Sequence, residues 1–285
     1  MSEFAQETIA LDCGGSIVAR FFAPARETKA GVVIVPAMGV AQQFYAELAK
    51  WLARQGYLVA TFDYRGSGLS NSGRLRDLDV DVVDWATYDC AAALDALGSR
   101  AAGKPLYWIG HSLGGQIIPF VPNVQRVNKI VTIATGSGYW RETAAPLNRR
   151  AWFLWYGVAP ITVALFGYFP GKRLRIVGDL PRGVIKQWRR WCLNPEYAVG
   201  AEPGDVRARY AAVRAPIASL SFTDDEFMSA RNIESLHGFF TNAPRTMKRL
   251  APQDVGVKRI GHFGFFRPEF AESLWRGHLL PELCG

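Results

Sequence analysis

Cysteine and histidine are scarce in this 285-residue sequence, with four of each. The cysteines are widely scattered, so no close pair suggests a zinc site or a redox couple, and we expect a reducing, cytoplasmic setting. No basic region followed by an apolar stretch opens the chain, which indicates no secretory signal. The length allows one large domain, or a domain with an insertion, built around a sizeable core.

Negative charge is also in short supply, since 33 Lys and Arg face 25 Asp and Glu, for a net charge of +8. Residues 137–205 hold ten of the basic residues against five acidic ones. No alternation of basic and RNA-stacking aromatic motifs accompanies this charge, so we expect no nucleic-acid partner. An anionic substrate or an acidic membrane surface fits better, and a solvated basic face is the plain alternative.

Short apolar runs alternate with helical patterns along most of the chain. Residues 7–12 and 16–22 flank Cys13-Gly14-Gly15 and predict an antiparallel hairpin. The rhythm then predicts strands at 31–35, 57–62, 106–109, 129–134, 216–222 and 255–260, and helices at 43–54, 82–97, 230–240 and 268–280. This alternation favours an α/β fold with a mostly parallel central sheet covered by helices on both faces.

The rhythm breaks from Thr135 to about Asp205. Five of the nine tryptophans lie in this stretch: Trp140, Trp152, Trp155, Trp188 and Trp191. We interpret residues 137–206 as a helical cap inserted at the carboxyl edge of the sheet, where such folds place their ligand sites. The core then consists of residues 1–136 and 207–285.

The segment Gly110-His-Ser112-Leu-Gly114 follows the apolar run 105–109. It matches the nucleophile elbow, a tight strand-to-helix turn that presents a serine hydroxyl. A side chain at either glycine would collide across a turn whose middle residue is strained. Ser112 is therefore the candidate nucleophile.

A nucleophilic serine needs a base and a group that orients the base. His262 is the candidate base, because it lies on a glycine-flanked loop, Gly261-His262-Phe263-Gly264, after the last predicted strand. We expect His111, beside the nucleophile, to be structural, and His237 and His278 to be surface or packing residues. The acid should follow the preceding strand, where Asp224, Asp225 and Glu226 are consecutive, and the residues alone leave the choice among them open.

Two backbone N–H groups should stabilise the developing oxyanion. One belongs to Leu113, the residue after the nucleophile. The other should come from the loop Pro36-Ala37-Met38-Gly39, where we assign it to Met38, with Ala37 as the alternative.

With these motifs the chain resembles the α/β-hydrolase superfamily over about residues 7–135 and 207–282, and most of all its serine-aminopeptidase-like and monoacylglycerol-lipase-like branch. The resemblance rests on residues 110–115, on Asp63-Tyr-Arg-Gly-Ser-Gly-Leu-Ser70 and on Gly261-His262. It implies the α/β-hydrolase fold and a serine hydrolase. It also implies that residues 63–70 form a structural loop that braces the elbow.

The family's acid segment, His-Gly-x-x-Asp, falls on residues 221–225, so the resemblance favours Asp225 over Asp224. Two departures accompany it. Pro36-Ala37 replace the usual His-Gly of the oxyanion loop, and Phe222 replaces a usual glycine.

Residues 151–169 form an uncharged run flanked by Arg149-Arg150 and Lys172-Arg173. Its length reaches the range of a transmembrane helix. Pro160, the glycines and the basic residues on both flanks argue against a span, which would also separate Ser112 from His262 across the bilayer. The aromatic residues of the cap either pack it onto the core or line an apolar tunnel above Ser112. The candidate substrate-binding residues are Trp140, Trp152, Trp155 and Phe263.

The sequence thus predicts a lipase-like carboxylesterase that acts on a small-molecule ester with an apolar acyl group, with Ser112, His262 and Asp225 as its triad. We expect no cofactor and no metal, because no phosphate loop, dinucleotide fingerprint or ligand cluster is present. Acyl transfer, amide cleavage or perhydrolysis on the same triad are alternatives, as is a non-catalytic, membrane-peripheral binding protein of this fold. Peripheral contact with an anionic membrane is compatible with the charge, and the oligomeric state is left open.

Overall fold

The computed structural model describes residues 4–284. The ends of the predicted core segments, residues 1–3 and 285, lie outside it. Its strands are β1 (Ala5–Ala10), β2 (Ser16–Phe22), β3 (Ala30–Val35), β4 (Tyr57–Asp63), β5 (Leu106–His111), β6 (Val127–Ile133), β7 (Tyr168–Phe169), β8 (Leu180–Pro181), β9 (Ile217–Phe222) and β10 (Arg245–Leu250).

Eight strands form one sheet in the order β1-β2-β4-β3-β5-β6-β9-β10, and β7 pairs only with β8. β1 and β2 form an antiparallel hairpin, and β2 is antiparallel to β4. The other strand pairs of this sheet are parallel, and β7 is antiparallel to β8. The predicted hairpin and mostly parallel sheet are therefore confirmed. Since parallel strands end at the same edge of a sheet, the loops after β3, β5, β9 and β10 meet there.

The α-helices are α1 (Ala46–Arg54), α2 (Val82–Asp84), α3 (Ala91–Arg100), α4 (Leu113–Gln116), α5 (Leu147–Phe153), α6 (Ala159–Phe166), α7 (Gly171–Leu174), α8 (Arg182–Leu193), α9 (Ala198–Ala201), α10 (Val206–Ala212), α11 (Ala230–Gly238), α12 (Gly261–Gly264) and α13 (Leu280–Cys284). Wider π-helical turns join α2 to α3, join α5 to α6, and precede α13. Helices cover both faces of the sheet, so β3 and β4 are buried along their whole length.

The strand predicted at residues 255–260 is wrong. The last strand is β10, and residues 252–255 instead form a 3₁₀ turn that ends at Gly256, whose φ is +69°. Among residues 4–284, β10 pairs only with β9, and most of its side chains are exposed. An edge strand of this kind carries polar residues and lacks the apolar run that marks a buried strand. His262 consequently lies on the short helix α12 and not directly after a strand.

The segment between β6 and α10, called the insertion below, contains α5 to α9 and the β7–β8 pair. It contributes no strand to the main sheet. α5, a π-helical turn and α6 run on without a break from Leu147 to Phe166. Within residues 4–284, no helix is both long enough and apolar enough to cross a membrane. The domain boundaries at 137 and 206 stay a prediction.

Candidate active site

Ser112 lies directly after β5 with φ +49° and ψ −109°, a backbone conformation that non-glycine residues rarely adopt. A Cβ at Gly110 would lie 2.6 Å from the backbone of Gly114. A Cβ at Gly114 would overlap the carbonyl oxygen of Val35. The two glycines are therefore required by close backbone approach, as the sequence pattern predicts.

Residues beyond the motif also hold the turn. The Ser112 N–H donates to the Ile133 carbonyl at 3.0 Å, and the Trp108 indole N–H donates to the Gly114 carbonyl at 2.9 Å. The hydroxyl of Thr135 lies within 3.3 Å of the carbonyl oxygens of Gly110, Ser112 and Ile133. Sequence reasoning missed Thr135; its only signal was its position just after β6.

His262 and Asp225 are in direct contact, and each is 4% exposed. The Nδ1 atom of His262 lies 2.9 Å from Oδ2 and 3.1 Å from Oδ1 of Asp225. Oδ1 also accepts hydrogen bonds from the backbone N–H groups of Phe227 and Met228, at 2.8 and 2.9 Å. These two donors fix the orientation of the carboxylate toward the imidazole.

The carboxylates on either side of Asp225 bind the backbone that carries His262. Asp224 Oδ2 accepts from the N–H groups of Ile260 and Gly261 at 2.8 and 3.1 Å. Glu226 Oε2 accepts from the His262 N–H at 3.1 Å. Among the three acids that the residues alone left open, Asp225 is the one beside the imidazole. The anchoring contacts of the other two were not anticipated.

A buried hydrogen-bond chain connects the loop after β3, the elbow and the His262 loop. The Ala37 N–H donates to the Tyr45 hydroxyl at 2.9 Å, and that hydroxyl lies 2.9 Å from Nδ1 of His111. Nε2 of His111 lies 3.1 Å from the carbonyl oxygen of His262. A carbonyl only accepts, so Nε2 carries the proton and Nδ1 accepts from Tyr45. We call this arrangement the Tyr45–His111 chain.

His111 is fully buried. Burial, followed by the nearby charge of His262, holds the pKa of His111 well below its usual value of 6.5. The ring is therefore neutral, which fits the single proton that its two hydrogen bonds require. This outcome matches the expectation that His111 is structural, although its bridging position was not predicted.

The loop after β3 contains Met38, the predicted oxyanion donor. Because the Ala37 N–H already donates to Tyr45, it is committed to an internal partner, which favours Met38 over Ala37 for this role. Tyr64 donates from its hydroxyl to the Pro36 carbonyl at 3.1 Å. Asp63 accepts from the Gln42 N–H at 2.7 Å.

Asp63 and Tyr64, in the loop of residues 63–70, therefore hold residues 36–42, the segment that contains the predicted oxyanion donor. The resemblance implied that this loop braces the elbow, and that stays a prediction.

The four aromatic residues predicted to line the substrate site lie in different places. The ring of Phe263 is 5.0 Å from that of His262, centroid to centroid. Trp155 is buried against Trp188 at 5.0 Å, Trp152 is largely exposed beside Phe153, and Trp140 is partly buried in the insertion.

A cavity of about 900 Å³ lies between α6 and α8 of the insertion, lined among others by Val163, Ile185 and Arg189. Its lining includes neither Ser112 nor His262. The apolar tunnel above Ser112 stays a prediction.

Known proteins resemble this chain in part of its sequence and in its fold. Residues 26–160 match the family model of the serine aminopeptidases, S33. No curated protein has a matching sequence.

Solved structures with the same fold include an esterase of Pyrococcus furiosus, PF2001, with a TM-score of 0.65, 13% identity, and coverage of 99% of this chain and 90% of that one. Est816, described as an N-acyl homoserine lactone degrading enzyme, has a TM-score of 0.59 and 19% identity, and the match covers 95% of this chain and 100% of that one. A highly thermostable carboxyl esterase from Bacillus coagulans has a TM-score of 0.59 and 15% identity and covers 88% and 91%. The sheet order, the elbow after β5 and these matches show the α/β-hydrolase fold, and residues 26–160 are similar in sequence to the serine aminopeptidases.

Proposed function

We propose that the protein is a serine hydrolase that cleaves an ester with an apolar acyl group. The observation that carries the proposal is the buried contact between His262 Nδ1 and Asp225, on loops that end at the same sheet edge as the strained Ser112. This is the arrangement that nucleophilic catalysis by serine needs.

The proposed steps follow from the positions of the protons. Asp225 accepts a hydrogen bond from the Nδ1–H group of His262, which leaves the Nε2 lone pair free to take the proton of Ser112 as its oxygen attacks the carbonyl carbon. The resulting imidazolium is stabilised by the Asp225 carboxylate. The N–H groups of Leu113 and Met38 stabilise the oxyanion. The imidazolium protonates the leaving alcohol, and a water molecule then releases the acyl group by the same route.

The surroundings of His262 support an apolar acyl group. Phe227 and Phe263 each lie within 5.0 Å of the His262 ring, and Phe44 packs on Phe263 at 6.1 Å. Aromatic side chains around a few polar groups are typical of small-molecule sites. Of the three similar solved structures described above, two are esterases by name and one is an N-acyl homoserine lactone degrading enzyme, which supports cleavage of an ester.

A fluorophosphonate probe tests the nucleophile directly. We expect it to label the wild type and a Ser219→Ala control, whose serine is buried in β9, but not Ser112→Ala. Labelling that persists in Ser112→Ala, or that is absent from the wild type, overturns the proposal. A panel of p-nitrophenyl esters of rising chain length then tests the acyl group, and a preference for acetate over longer chains contradicts the apolar site.

A further inference from the structure

The continuous helix from Leu147 to Phe166 buries mostly small side chains and exposes its large apolar ones. Its buried positions recur every four residues, at Ala151, Trp155, Ala159 and Val163. Three of these four side chains are small or medium in size. The helix therefore rests on the rest of the protein along a narrow stripe.

The opposite face is apolar as well, and it holds the larger side chains. The exposed ones are Trp152, Phe153, Tyr156, Ile161, Leu165 and Phe166, with between 41% and 72% of their surface accessible. A surface helix normally turns such residues inward. Together they expose on the order of 600 Å² of apolar surface, which matches or exceeds the largest patch on a typical monomer. Such a patch marks an interaction site.

Charged residues flank this helix along the sequence in a definite pattern. Residues 151–171 carry no charge, whereas Arg149 and Arg150 precede them and Lys172, Arg173 and Arg175 follow. No Asp or Glu occurs between Glu142 and Asp179. All five cations are exposed, and within residues 4–284 none has a carboxylate within 4.0 Å.

Local structure does not account for two of these cations. Arg149 and Arg150 lie in the first turns of the helix, which contain no acidic residue. Positive charge at a helix N-terminus opposes the helix dipole. Their placement therefore indicates an anionic partner outside the protein.

We propose that this face docks on an anionic lipid leaflet, with the helix lying in the plane of the membrane interface. A helix from Leu147 to Phe166 is ~30 Å long, so the two arginines of its first turn and the three cations of the α7 segment would contact separate phosphate groups, while the aromatic and aliphatic side chains enter the acyl boundary. Large apolar residues with Lys and Arg at the margin are the composition of interfacial helices. The helix docks on the membrane and does not span it, in line with the hydropathy of the described helices.

A second copy of the chain fits this face less well. In a two-fold dimer the same patch meets itself, so the five cations of one copy would face those of the other with no carboxylate from 143–178 to offset them. Lipid phosphates supply the missing negative charge. The proposal does not rest on turnover, and we expect Ser112→Ala to bind like the wild type.

Vesicle sedimentation tests the proposal. We expect the protein to pellet with vesicles of phosphatidylglycerol and phosphatidylcholine in equal parts, to bind phosphatidylcholine vesicles far more weakly, and to be released by salt. The double variant Phe153→Ser/Leu165→Ser should lose at least about tenfold in affinity. Leu69→Ser/Met247→Ser, which removes two apolar side chains elsewhere that are 49% and 44% exposed, should not. Absence of binding to anionic vesicles, or equal loss in both double variants, overturns the proposal.

Three further measurements test the roles of charge, of aromatic insertion and of a second copy of the chain. Arg149→Gln/Arg150→Gln should weaken binding to anionic vesicles more than the control Arg214→Gln/Lys258→Gln, and equal weakening would mean that only net charge matters. Brominated lipids should quench tryptophan fluorescence in the wild type and much less in Trp152→Phe; unchanged quenching would place the contact elsewhere. A dimer by light scattering that dissociates in Phe153→Ser/Leu165→Ser would show that a second copy covers the face.

Discussion

Replacing Asp225 by asparagine tests the proposed triad at one atom. The oxygen at the Oδ1 position accepts two backbone N–H groups, from Phe227 and Met228. The asparagine NH₂ group cannot occupy that position, because three donors would then face each other. It must replace Oδ2, which lies 2.9 Å from Nδ1 of His262. The structure therefore dictates which way the amide points.

The consequence is a histidine with its proton on the wrong nitrogen. An amide N–H facing Nδ1 requires Nδ1 to accept, so the proton moves to Nε2, which then cannot take the proton of Ser112. The same substitution in serine proteases lowers kcat by about 10⁴, which corresponds to about 5.5 kcal/mol of transition-state stabilisation. We expect a loss of this order for Asp225→Asn.

Asp224→Asn is the matched control. Its side-chain oxygen can still accept from Ile260 and Gly261, and the new NH₂ group replaces Oδ1, a buried oxygen without a hydrogen-bond partner in the described residues. We expect less than about a tenfold loss, because the His262 tautomer is untouched.

The assay is kcat and KM for p-nitrophenyl butyrate, with thermal unfolding as a check on folding. A loss in Asp224→Asn as large as that in Asp225→Asn would refute the reasoning. Near-wild-type activity of Asp225→Asn would do the same.

Three more substitutions probe the fold around the site. Tyr45→Phe leaves two buried polar partners unpaired, so the free energy of unfolding in urea should fall by about 1–3 kcal/mol, and kcat should fall with little change in KM; an unchanged kcat would separate the Tyr45–His111 chain from the chemistry. Burial lowers the pKa of His237 from 6.5 to about 4, so folding favours its neutral form. Its contribution to the free energy of unfolding is therefore fully present above pH 6.5 and is lost as pH falls toward 4, by up to about 1.4 kcal/mol per pH unit. His237→Gln should remove that part of the pH dependence in urea titrations, and an unaltered slope would contradict the cause. Gly114→Ala forces a Cβ against the Val35 carbonyl, so it should lower the free energy of unfolding by about 1–3 kcal/mol or more and reduce esterase activity. In Gly73→Ala the new Cβ meets no atom within 4 Å, so stability and activity should stay unchanged.

The parts of this protein that follow from local rules were predictable from its sequence. The elbow at Ser112 requires glycines on both sides for steric reasons, and those glycines are visible in the chain. The buried strands β3 and β4 are uniformly apolar because both faces are covered. Strand order then brings the loops that carry Asp225 and His262 to the same edge. Their catalytic roles stay predictions.

What could not be predicted depends on contacts between distant residues. β10 was missed because an edge strand with one neighbour does not need an apolar pattern. The hydroxyl of Tyr45 bridges partners 8 and 66 residues away, and no local periodicity marks such a position. The same limit applies to the insertion, where an apolar helix looks alike in sequence whether its large side chains face inward or outward.

The imidazole rings of His111 and His262 lie 5.2 Å apart, centroid to centroid, yet the proposed chemistry requires different protonation behaviour from each. Turnover by the proposed route makes His262 alternate between a neutral and a cationic form, whereas His111 must keep one fixed proton to hold its two hydrogen bonds. Burial keeps the pKa of His111 well below 6.5 and so prevents a second positive charge from arising beside the first. His111 thus stays neutral and keeps its hydrogen bonds to Tyr45 and to the His262 carbonyl while the proposed base beside it changes its charge in every cycle.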